Sequence, residues 1–308
     1  MINLSTVYTA DDGCPRFVHG WAPEGDIRGI LHIAHGMGEH GARYARLAEV
    51  MTGAGLAVYA NDHRGHGRTA AETELGFFAD SNGWQVVVDD LRAHIDRERA
   101  AHPGVPLILM GHSMGSFMVQ QSMAEHAEVL DAVVLSGTNG RPPPVARLGR
   151  LLARMERLRQ GARGKSGILA AMSFGDFNKR FRPNRTDFDW LSRDEAEVDR
   201  YIADPRCGFQ CTNQLWIDLL DALDVITTSA FQAQIPSTLP IYLFAGDRDP
   251  VGNNGKSVRA LAEDLSAAGL SDVTLKLYEE GRHESLNEIN RDAVMADLLA
   301  WVQDILSR

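Results

Sequence analysis

Apolar runs rich in β-branched residues alternate with segments of helical period, and this alternation constrains the fold more than any other feature of the sequence. The runs predict strands over 29–34, 56–60, 106–110, 132–135, 239–244 and 273–277. Such continuous apolar runs are typical of strands buried on both faces of a sheet. The helical segments lie at 83–101, 116–126, 255–268 and 291–306. The predicted fold class is α/β, with a mostly parallel central sheet flanked by helices.

The alternation breaks in the long interval between the strands predicted at 132–135 and 239–244. No comparable β-branched run occurs there, whereas residues 145–160 carry apolar side chains at helical spacing. We therefore predict a core formed by residues 1–137 and 237–308, with an inserted helical cap or lid over 138–236.

Charge and composition exclude several classes of protein. The 308 residues include 31 Lys and Arg against 41 Asp and Glu, a net charge of −10. This acidic balance repels phosphate backbones, so we expect no nucleic-acid partner. Residues 1–6 carry neither a basic leader nor an apolar signal segment, and no apolar run reaches the length of a bilayer span. The sequence therefore predicts a cytoplasmic protein.

The three cysteines, Cys14, Cys207 and Cys211, are too few for a disulfide framework. Cys207 and Cys211 lack a second ligand pair in the sequence, so we expect no zinc site from this motif. Asp62, His63 and His66 lie among glycines, which favours a tight turn with a polar network over a metal site. We expect no metal at these residues.

A candidate nucleophile follows the strand predicted at 106–110. The pentapeptide Gly111-His112-Ser113-Met114-Gly115 has the form G-x-S-x-G and leads directly into the helix predicted at 116–126. A serine on such a sharp strand-to-helix turn presents its hydroxyl group, and small flanking residues avoid a collision there. This context predicts Ser113 as a nucleophile.

The partners of a serine on such a turn follow it in the chain, first an acid and then a histidine. Of the 11 histidines only His126 and His283 follow Ser113. His126 lies on the helix that leads away from the turn, so we prefer His283 as the base. Asp247 and Asp249 both follow the strand predicted at 239–244, and we prefer Asp249 because it lies farther into the turn.

Two backbone N–H groups are predicted to stabilise a developing oxyanion. One is that of Met114, directly after the nucleophile. The other is that of Met37, in the segment His35-Gly36-Met37-Gly38-Glu39-His40, which follows the strand predicted at 29–34.

Together these motifs resemble the monoacylglycerol lipase and lysophospholipase branch of the α/β-hydrolases. The resemblance rests on the following segments: 35–40 with Arg43-Tyr44, Asp62-His63-Arg64-Gly65-His66-Gly67, the pentapeptide around Ser113, Gly246-x-x-Asp249, and His283-Glu284. It covers the core from about residue 30 to 283. The sequence departs from the usual pattern at Ser116, where the family usually has glycine.

The resemblance implies a serine hydrolase with an α/β-hydrolase fold, a helical cap and no cofactor or metal. It supports Ser113, Asp249 and His283 as a triad with Met37 and Met114 as oxyanion donors. It also implies that Glu39 and Arg43 lie near the pocket for the alcohol portion of the substrate, although a purely structural ion pair remains the alternative.

We expect a carboxylic ester hydrolase whose substrate is a small amphiphile, namely a monoacylglycerol or a lysophospholipid-type ester. A general short-chain carboxylesterase and a non-catalytic ligand-binding relative are the alternatives. Apolar residues of the cap are predicted to surround an acyl chain: Leu169, Met172, Phe174, Phe177 and Trp216. The sequence leaves the oligomeric state and the choice between hydrolysis and acyl transfer open.

The segment 141–165 has eight basic residues and a single acid, Glu156, in a chain that is otherwise acidic. One interpretation is a lid that makes peripheral contact with an anionic membrane. The interpretation we prefer is an amphipathic helix over 145–160 that packs its apolar face on the core and leaves its basic face in solvent.

Overall fold

A computed structural model describes residues 1–10, 12–143 and 145–308, apart from the side chains of residues 173 and 174. A nine-stranded sheet forms its centre. The strands are β1 (Ile2–Asn3), β2 (Thr6–Thr9), β3 (Pro15–Ala22), β4 (Gly29–Ala34), β5 (Leu56–Asn61), β6 (Leu107–His112), β7 (Ala132–Ser136), β8 (Ile241–Gly246) and β9 (Val273–Tyr278).

The sheet is mostly parallel. Its strand order is β1, β3, β5, β4, β6, β7, β8, β9, and β2 pairs with β3. All pairs from β5 across to β9 are parallel, and β3 runs antiparallel to β5. The carboxyl ends of the parallel strands therefore meet at one edge, which is where open α/β sheets place their ligands.

The helices cover both faces of the sheet and fill the interval between β7 and β8. They are α1 (Ala45–Gly53), α2 (Gly83–Ala101), α3 (Met114–Glu125), α4 (Val145–Gln160), α5 (Gly167–Ala170), α6 (Asp176–Lys179), α7 (Glu195–Ala203), α8 (Asn213–Ile226), α9 (Ser229–Gln232), α10 (Lys256–Ala267) and α11 (Arg291–Ser307). Short 3-10 helices span Gly41–Tyr44, Glu72–Glu74, Ala127–Val129 and Ser285–Asn287, and a π-helical turn spans Ala171–Gly175.

Strand β6 shows how the two faces are built. Leu107 and Leu109 pack in one hydrophobic cluster, with residues of α2, α3 and α10, whereas Ile108 and Met110 pack in another with α1 and α11. Successive side chains of a strand point to opposite faces, so an apolar run contributes to both clusters. The predicted α/β architecture with helices on both sides is therefore confirmed.

The sequence prediction is wrong in two places along the sheet. It missed the N-terminal strands, because β2 is largely exposed and β3 carries polar residues such as Arg16 and His19 in place of an apolar run. It also expected β9 to be buried on both faces, whereas β9 alternates between exposed and half-buried residues. β9 lies at the end of the strand order, where one face is left partly uncovered.

The insertion between β7 and β8 is helical throughout its regular elements among the described residues, as predicted. The exact cap bounds of 138–236 stay a prediction. None of the helices formed by the described residues is both long and apolar enough to cross a lipid bilayer.

Helix α4 agrees only in part with the preferred interpretation of its sequence. Leu152 and Ala153 pack on the main core cluster, but most of its apolar side chains face solvent: Val145, Leu148, Leu151, Met155 and Leu158 are each more than half exposed, and Leu158 is 89% exposed. On its other side, Arg150 and Arg154 form ion pairs with Asp221 and Asp224 of α8. The acidic residues of α8 therefore pair with part of the basic face, whereas Arg147 and Arg157 stay exposed beside the apolar row.

Candidate active site

Ser113 lies on the turn between β6 and α3, where the sequence predicted a nucleophile. Its backbone has φ 50° and ψ −119°, a region that a residue with a side chain rarely adopts. The flanking glycines are sterically required: a Cβ on Gly111 would lie 2.5 Å from the Gly115 carbonyl oxygen, and one on Gly115 would lie 2.1 Å from that of Ala34. The G-x-S-x-G spacing therefore has a direct steric cause.

Ser116, which departs from the family pattern, stabilises this turn. Its hydroxyl group donates to the Ser113 carbonyl oxygen at 2.6 Å and lies 2.7 Å from the hydroxyl group of Thr138. Gln120 also donates to the Thr138 hydroxyl group, at 2.9 Å. The departure from glycine thus adds side-chain hydrogen bonds beneath the turn.

His283 and Asp249 contact each other through a symmetric hydrogen bond. The His283 Nδ1 atom lies 3.0 Å from both carboxylate oxygens of Asp249, and both side chains are almost completely buried. Asp249 Oδ1 also accepts the Val251 N–H at 2.9 Å. Asp247, the alternative acid, does not contact His283, and Arg248 pairs with Glu280. The structure therefore places the preferred acid next to the preferred base.

The protonation of His283 reflects two opposing effects. Burial alone would lower the pKa of this imidazole, but the Asp249 carboxylate outweighs burial and raises the pKa above its usual 6.5. The hydrogen bond to Asp249 also requires the proton to reside on Nδ1, which leaves Nε2 as the acceptor. A general base needs this tautomer.

The loop after β4 lies directly against Ser113. A Cβ on Gly36 would lie 3.2 Å from the Ser113 Cβ atom, so the glycine allows the close approach. The His35 side chain donates from Nδ1 to the Gly36 carbonyl oxygen at 2.7 Å. Because the carbonyl and N–H of one peptide unit point in opposite directions, this bond fixes the direction of the Met37 N–H.

A chain of buried hydrogen bonds also supports His35. It runs from α2 through two strands to the loop after β4. Its contacts are Glu98 to His32 Nδ1 at 2.7 Å, His32 Nε2 to the Asn61 amide oxygen at 3.0 Å, the Asn61 amide nitrogen to His63 Nδ1 at 3.0 Å, and His63 Nε2 to the His35 carbonyl oxygen at 3.1 Å.

The histidines nearest the loop are neutral. Burial, reinforced by neighbouring histidines, lowers the pKa of His63 to about 3 and that of His35 well below 6.5. The His63 N–H donates to His35 Nε2 at 3.0 Å, so His35 carries its proton on Nδ1. This is the proton that holds the Gly36 carbonyl group. Asp62 accepts the N–H groups of Gly41 and Arg68, which supports a turn at 62–68.

Arg43 joins the loop after β4 to the loop that carries His283. Its guanidinium group contacts Glu39 at 2.7 Å and both carboxylate oxygens of Glu284 at 2.7 Å. Glu39 in turn accepts the Gly36 N–H at 2.6 Å and the Tyr44 hydroxyl group at 2.9 Å. Glu39 lines the cavity described next, whereas Arg43 does not. This difference favours a structural role for Arg43.

The electrostatics of Glu284 show the strength of this contact. Burial acts to raise the pKa of this carboxyl group, but the Arg43 guanidinium overrides burial and lowers the pKa to about 2. Sequence reasoning included Glu284 in the motif with His283 but assigned it no role. Its position directly after His283, together with an arginine early in the chain, was the only available signal.

A cavity of about 510 Å³ opens above Ser113, between the core and the cap. Met37, Ser113 and His283 line it from the core. The cap contributes apolar and polar side chains, including Phe188, Trp190, Leu191, Phe209, Trp216, Asn178, Lys179 and Arg182. Its volume lies within the range typical of small-molecule sites.

The predicted acyl-chain residues are only partly correct. Trp216 lines the cavity, but the described side chains of Leu169, Met172 and Phe177 lie outside it. Leu169 is buried in the main core cluster, Phe177 packs beside Trp190, and Met172 is 40% exposed. The Phe174 side chain is outside the described part of the chain. Helical periodicity identified the apolar residues of the cap but not the direction in which each side chain points.

The sheet order, the serine turn at the end of β6 and the helical insertion after β7 define an α/β-hydrolase. Residues 25–290 match the family model Hydrolase_4, described as serine aminopeptidase, S33. The chain belongs to this family, and within the α/β-hydrolases it is a carboxylic ester hydrolase related to monoglyceride lipases.

Two curated relatives cover nearly the whole chain. The sequence is 31% identical over 291 residues to a monoacylglycerol lipase of Mycolicibacterium smegmatis, with 92% of this chain and 90% of that protein covered. It is 30% identical over 299 residues to the human monoglyceride lipase, with 94% and 88% covered. Among solved structures, a thermostable carboxyl esterase from Bacillus coagulans in complex with glycerol superposes with a TM-score of 0.91, at 27% identity and 99% coverage of both chains.

Replacing Arg43 by glutamine is expected to destabilise the protein by about 3–5 kcal/mol, because two buried carboxylates lose their cation. Urea unfolding at pH 7 measures this change. The same substitution at Arg99, whose pair with Asp131 is much more exposed, should cost at most about 1 kcal/mol. Equal effects of the two substitutions would show that the Arg43 network contributes little to stability.

Proposed function

We propose that this protein hydrolyses single-chain lipid esters, of the monoacylglycerol or lysophospholipid type, through an acyl-enzyme on Ser113. The observation that carries the proposal is the position of Ser113: it lies on a strained turn and lines the same 510 Å³ cavity as His283, which is hydrogen-bonded to Asp249. Buried and oriented in this way, the histidine can accept the serine proton.

In the proposed reaction, His283 Nε2 takes the proton of Ser113 as the serine oxygen attacks the ester carbonyl carbon. Asp249 stabilises the imidazolium that forms, and the N–H groups of Met37 and Met114 stabilise the oxyanion. His283 then protonates the leaving alcohol. Water, deprotonated by the same histidine, attacks the acyl-enzyme and releases the fatty acid.

The substrate class is supported by the relatives and by the cavity. The curated relatives are named for monoacylglycerol cleavage, and the Bacillus coagulans esterase was solved with glycerol. Aromatic and aliphatic side chains from the cap, such as Phe209, Trp216 and Leu191, offer an apolar wall for one acyl chain. A short-chain carboxylesterase is the second candidate, because the solved structure compared above is that of a carboxyl esterase.

A fluorophosphonate probe, with the labelled residue mapped by mass spectrometry, is expected to modify Ser113. Monoacylglycerol hydrolysis should be lost in Ser113→Ala, with activity at least about a thousandfold lower, because no nucleophile remains. Ser116→Gly, which restores the residue usual in the family, is the matched control and should still be labelled.

The substrate panel separates the alternatives. It comprises a long-chain monoacylglycerol, a lysophosphatidylcholine, a short-chain nitrophenyl ester and an amino-acid anilide. If Ser113 is labelled but the short-chain ester is hydrolysed faster than the lipid esters, the short-chain carboxylesterase replaces the lipid proposal. Faster hydrolysis of the anilide would favour a peptidase. Absence of labelling would contradict the serine mechanism itself.

The acid limb of the pH profile is expected to report His283. Because Asp249 raises the pKa of His283 above 6.5, the base is protonated and inactive below that pKa, so kcat/KM should fall with a midpoint above pH 6.5. Asp249→Asn removes the stabilising charge and should shift the midpoint to lower pH as well as lowering kcat. A midpoint that is unchanged in this variant would contradict the assignment of Asp249.

We also propose that the exposed apolar face of α4 contacts a lipid surface during substrate capture. Leu148, Leu151, Met155 and Leu158 form a continuous exposed row on this helix. Arg147 and Arg157 are exposed on the same helix and would favour anionic headgroups. Substrates with one acyl chain partition into such surfaces, so contact would bring the cavity close to its substrate.

Co-sedimentation with phosphatidylglycerol-containing vesicles tests this contact. Leu151→Ser combined with Leu158→Ser should lower the partition coefficient by at least about tenfold, since two leucines would no longer be buried in the bilayer. Ile2→Ser with Val7→Ser removes two similarly exposed apolar side chains from the N-terminal strands and should have no effect. Equal loss in both double variants, or no binding by the original protein, would contradict a specific contact through α4.

A further inference from the structure

A mixed set of nitrogen, oxygen and sulfur ligands meets where the cap touches the loop that carries Met37. His40 lies in the core, directly after that loop, whereas Asp204 and Cys207 lie in the cap after α7. One ligand atom from each of these three side chains lies within 4.8 Å of the other two. The sequence could not group them, because His40 is far from the other two residues along the chain.

We propose that His40, Asp204 and Cys207 form a zinc site that fastens the cap to the core. Imidazole, carboxylate and thiolate groups are the side chains that zinc takes as ligands. Three protein ligands with a water molecule in the fourth position complete a tetrahedron. In such a site the ligand atoms lie about 3.5 Å apart, so His40 and Asp204, whose ligand atoms are now 2.9 Å apart, would separate slightly to admit the ion.

The three side chains are already oriented toward one another. His40 Nε2 lies 2.9 Å from Asp204 Oδ2. The other carboxylate oxygen, Oδ1, accepts the Arg206 N–H at 2.8 Å, which fixes the direction of Oδ2. The Cys207 N–H donates to the Asp204 carbonyl oxygen at 2.9 Å, so a tight turn brings both cap ligands to the same side. Contacts of this kind around the ligands are what orient them in metal sites.

The charge around the cluster is mixed, and the ligands themselves supply the negative charge that a cation needs. Arg43 is neutralised by Glu39 and Glu284, as described above. Arg46 and Arg200, which line the same surface depression, share the single carboxylate of Glu197, and the Arg206 side chain adds a positive charge near Asp204. Asp204 is ionised at neutral pH: burial acts to raise its pKa, but the Arg206 N–H and His40 lower it.

Solvent can deliver the ion. His40, Asp204 and Cys207 all line a surface depression of about 450 Å³, separate from the cavity above Ser113. Burial raises the pKa of the Cys207 thiol, so the free protein carries the thiol form. Binding therefore replaces the S–H bond by a zinc–sulfur bond and releases one proton to solvent.

A second metal-like set in the described residues, His19, His40 and Asp62, is less suited to an ion. Asp62 already accepts two backbone N–H groups and contacts His19, so binding there would cost the hydrogen bonds of the turn. Binding at the set with Cys207 would leave the backbone hydrogen bond to Asp204 Oδ1 intact.

The position of the site gives it a structural consequence. Next to the cluster, Gly208 N–H and the Tyr201 hydroxyl group both donate to the Gly38 carbonyl oxygen at 2.9 Å. These bonds already connect the cap to the loop that presents the Met37 N–H. Zinc across the same junction would hold the cap in the position seen here and raise the thermal stability.

Titration of the metal-free, reduced protein with Zn²⁺ in competition with a chromophoric indicator tests the proposal, without reference to ester hydrolysis. We expect one tightly bound equivalent, and a loss of affinity greater than about tenfold in both Cys207→Ser and Asp204→Asn. Asp204→Asn keeps a side chain of the same shape, so it separates lost coordination from lost folding. Cys14→Ser changes a half-buried thiol outside the cluster and should bind as the original protein does.

Cobalt(II) provides a direct readout of the sulfur ligand. The original protein should show thiolate-to-cobalt charge-transfer absorption that is missing in Cys207→Ser and retained in Cys14→Ser. Zinc should also raise the melting temperature of the original protein but not that of Cys207→Ser. Absence of stoichiometric binding, or unchanged affinity or charge-transfer absorption in Cys207→Ser, would overturn the proposal. These outcomes leave the proposed ester hydrolysis unaffected.

Discussion

The buried contact of Arg43 with Glu39 and Glu284 is the interaction on which the geometry around Ser113 depends. One guanidinium group holds two loops that come from opposite ends of the chain, one presenting Met37 and the other presenting His283. Bidentate pairing fixes orientation as well as distance. Burying these charges costs free energy. The contact offsets this cost because every carboxylate oxygen of Glu39 and Glu284 accepts a hydrogen bond.

The same loop is held from a second direction by uncharged groups. Burial keeps His35 and His63 neutral, and each neutral imidazole has one donor and one acceptor nitrogen with a defined partner. A charged histidine would disrupt this alternation. The loop near Ser113 is thus held by the paired Arg43 guanidinium on one side and by neutral imidazole rings on the other. Together these contacts fix the direction of its backbone N–H groups.

The orientation of the cap helices depends on different interactions. Helix α4 pairs Arg150 and Arg154 with acidic residues of α8, and Leu148, Leu151 and Leu158 are left exposed. Ion pairs between two cap helices therefore contribute to the orientation of an amphipathic segment. The cap meets the core through polar contacts at Gly38, and this is also where His40, Asp204 and Cys207 converge.

The sequence by itself determined the parallel strands, the serine turn and the order of the predicted catalytic residues. Apolar runs and turn glycines act over a few residues, so their effect can be read locally: Gly111 is required because a Cβ there would clash with Gly115 of the same turn. The choice of Asp249 over Asp247 also followed from position within one turn. Only the tertiary structure decided what depends on distant partners. Glu284 as the partner of Arg43, Glu98 as the partner of His32 and the pairing of α4 with α8 each result from charge or hydrogen bonding between segments far apart in the chain.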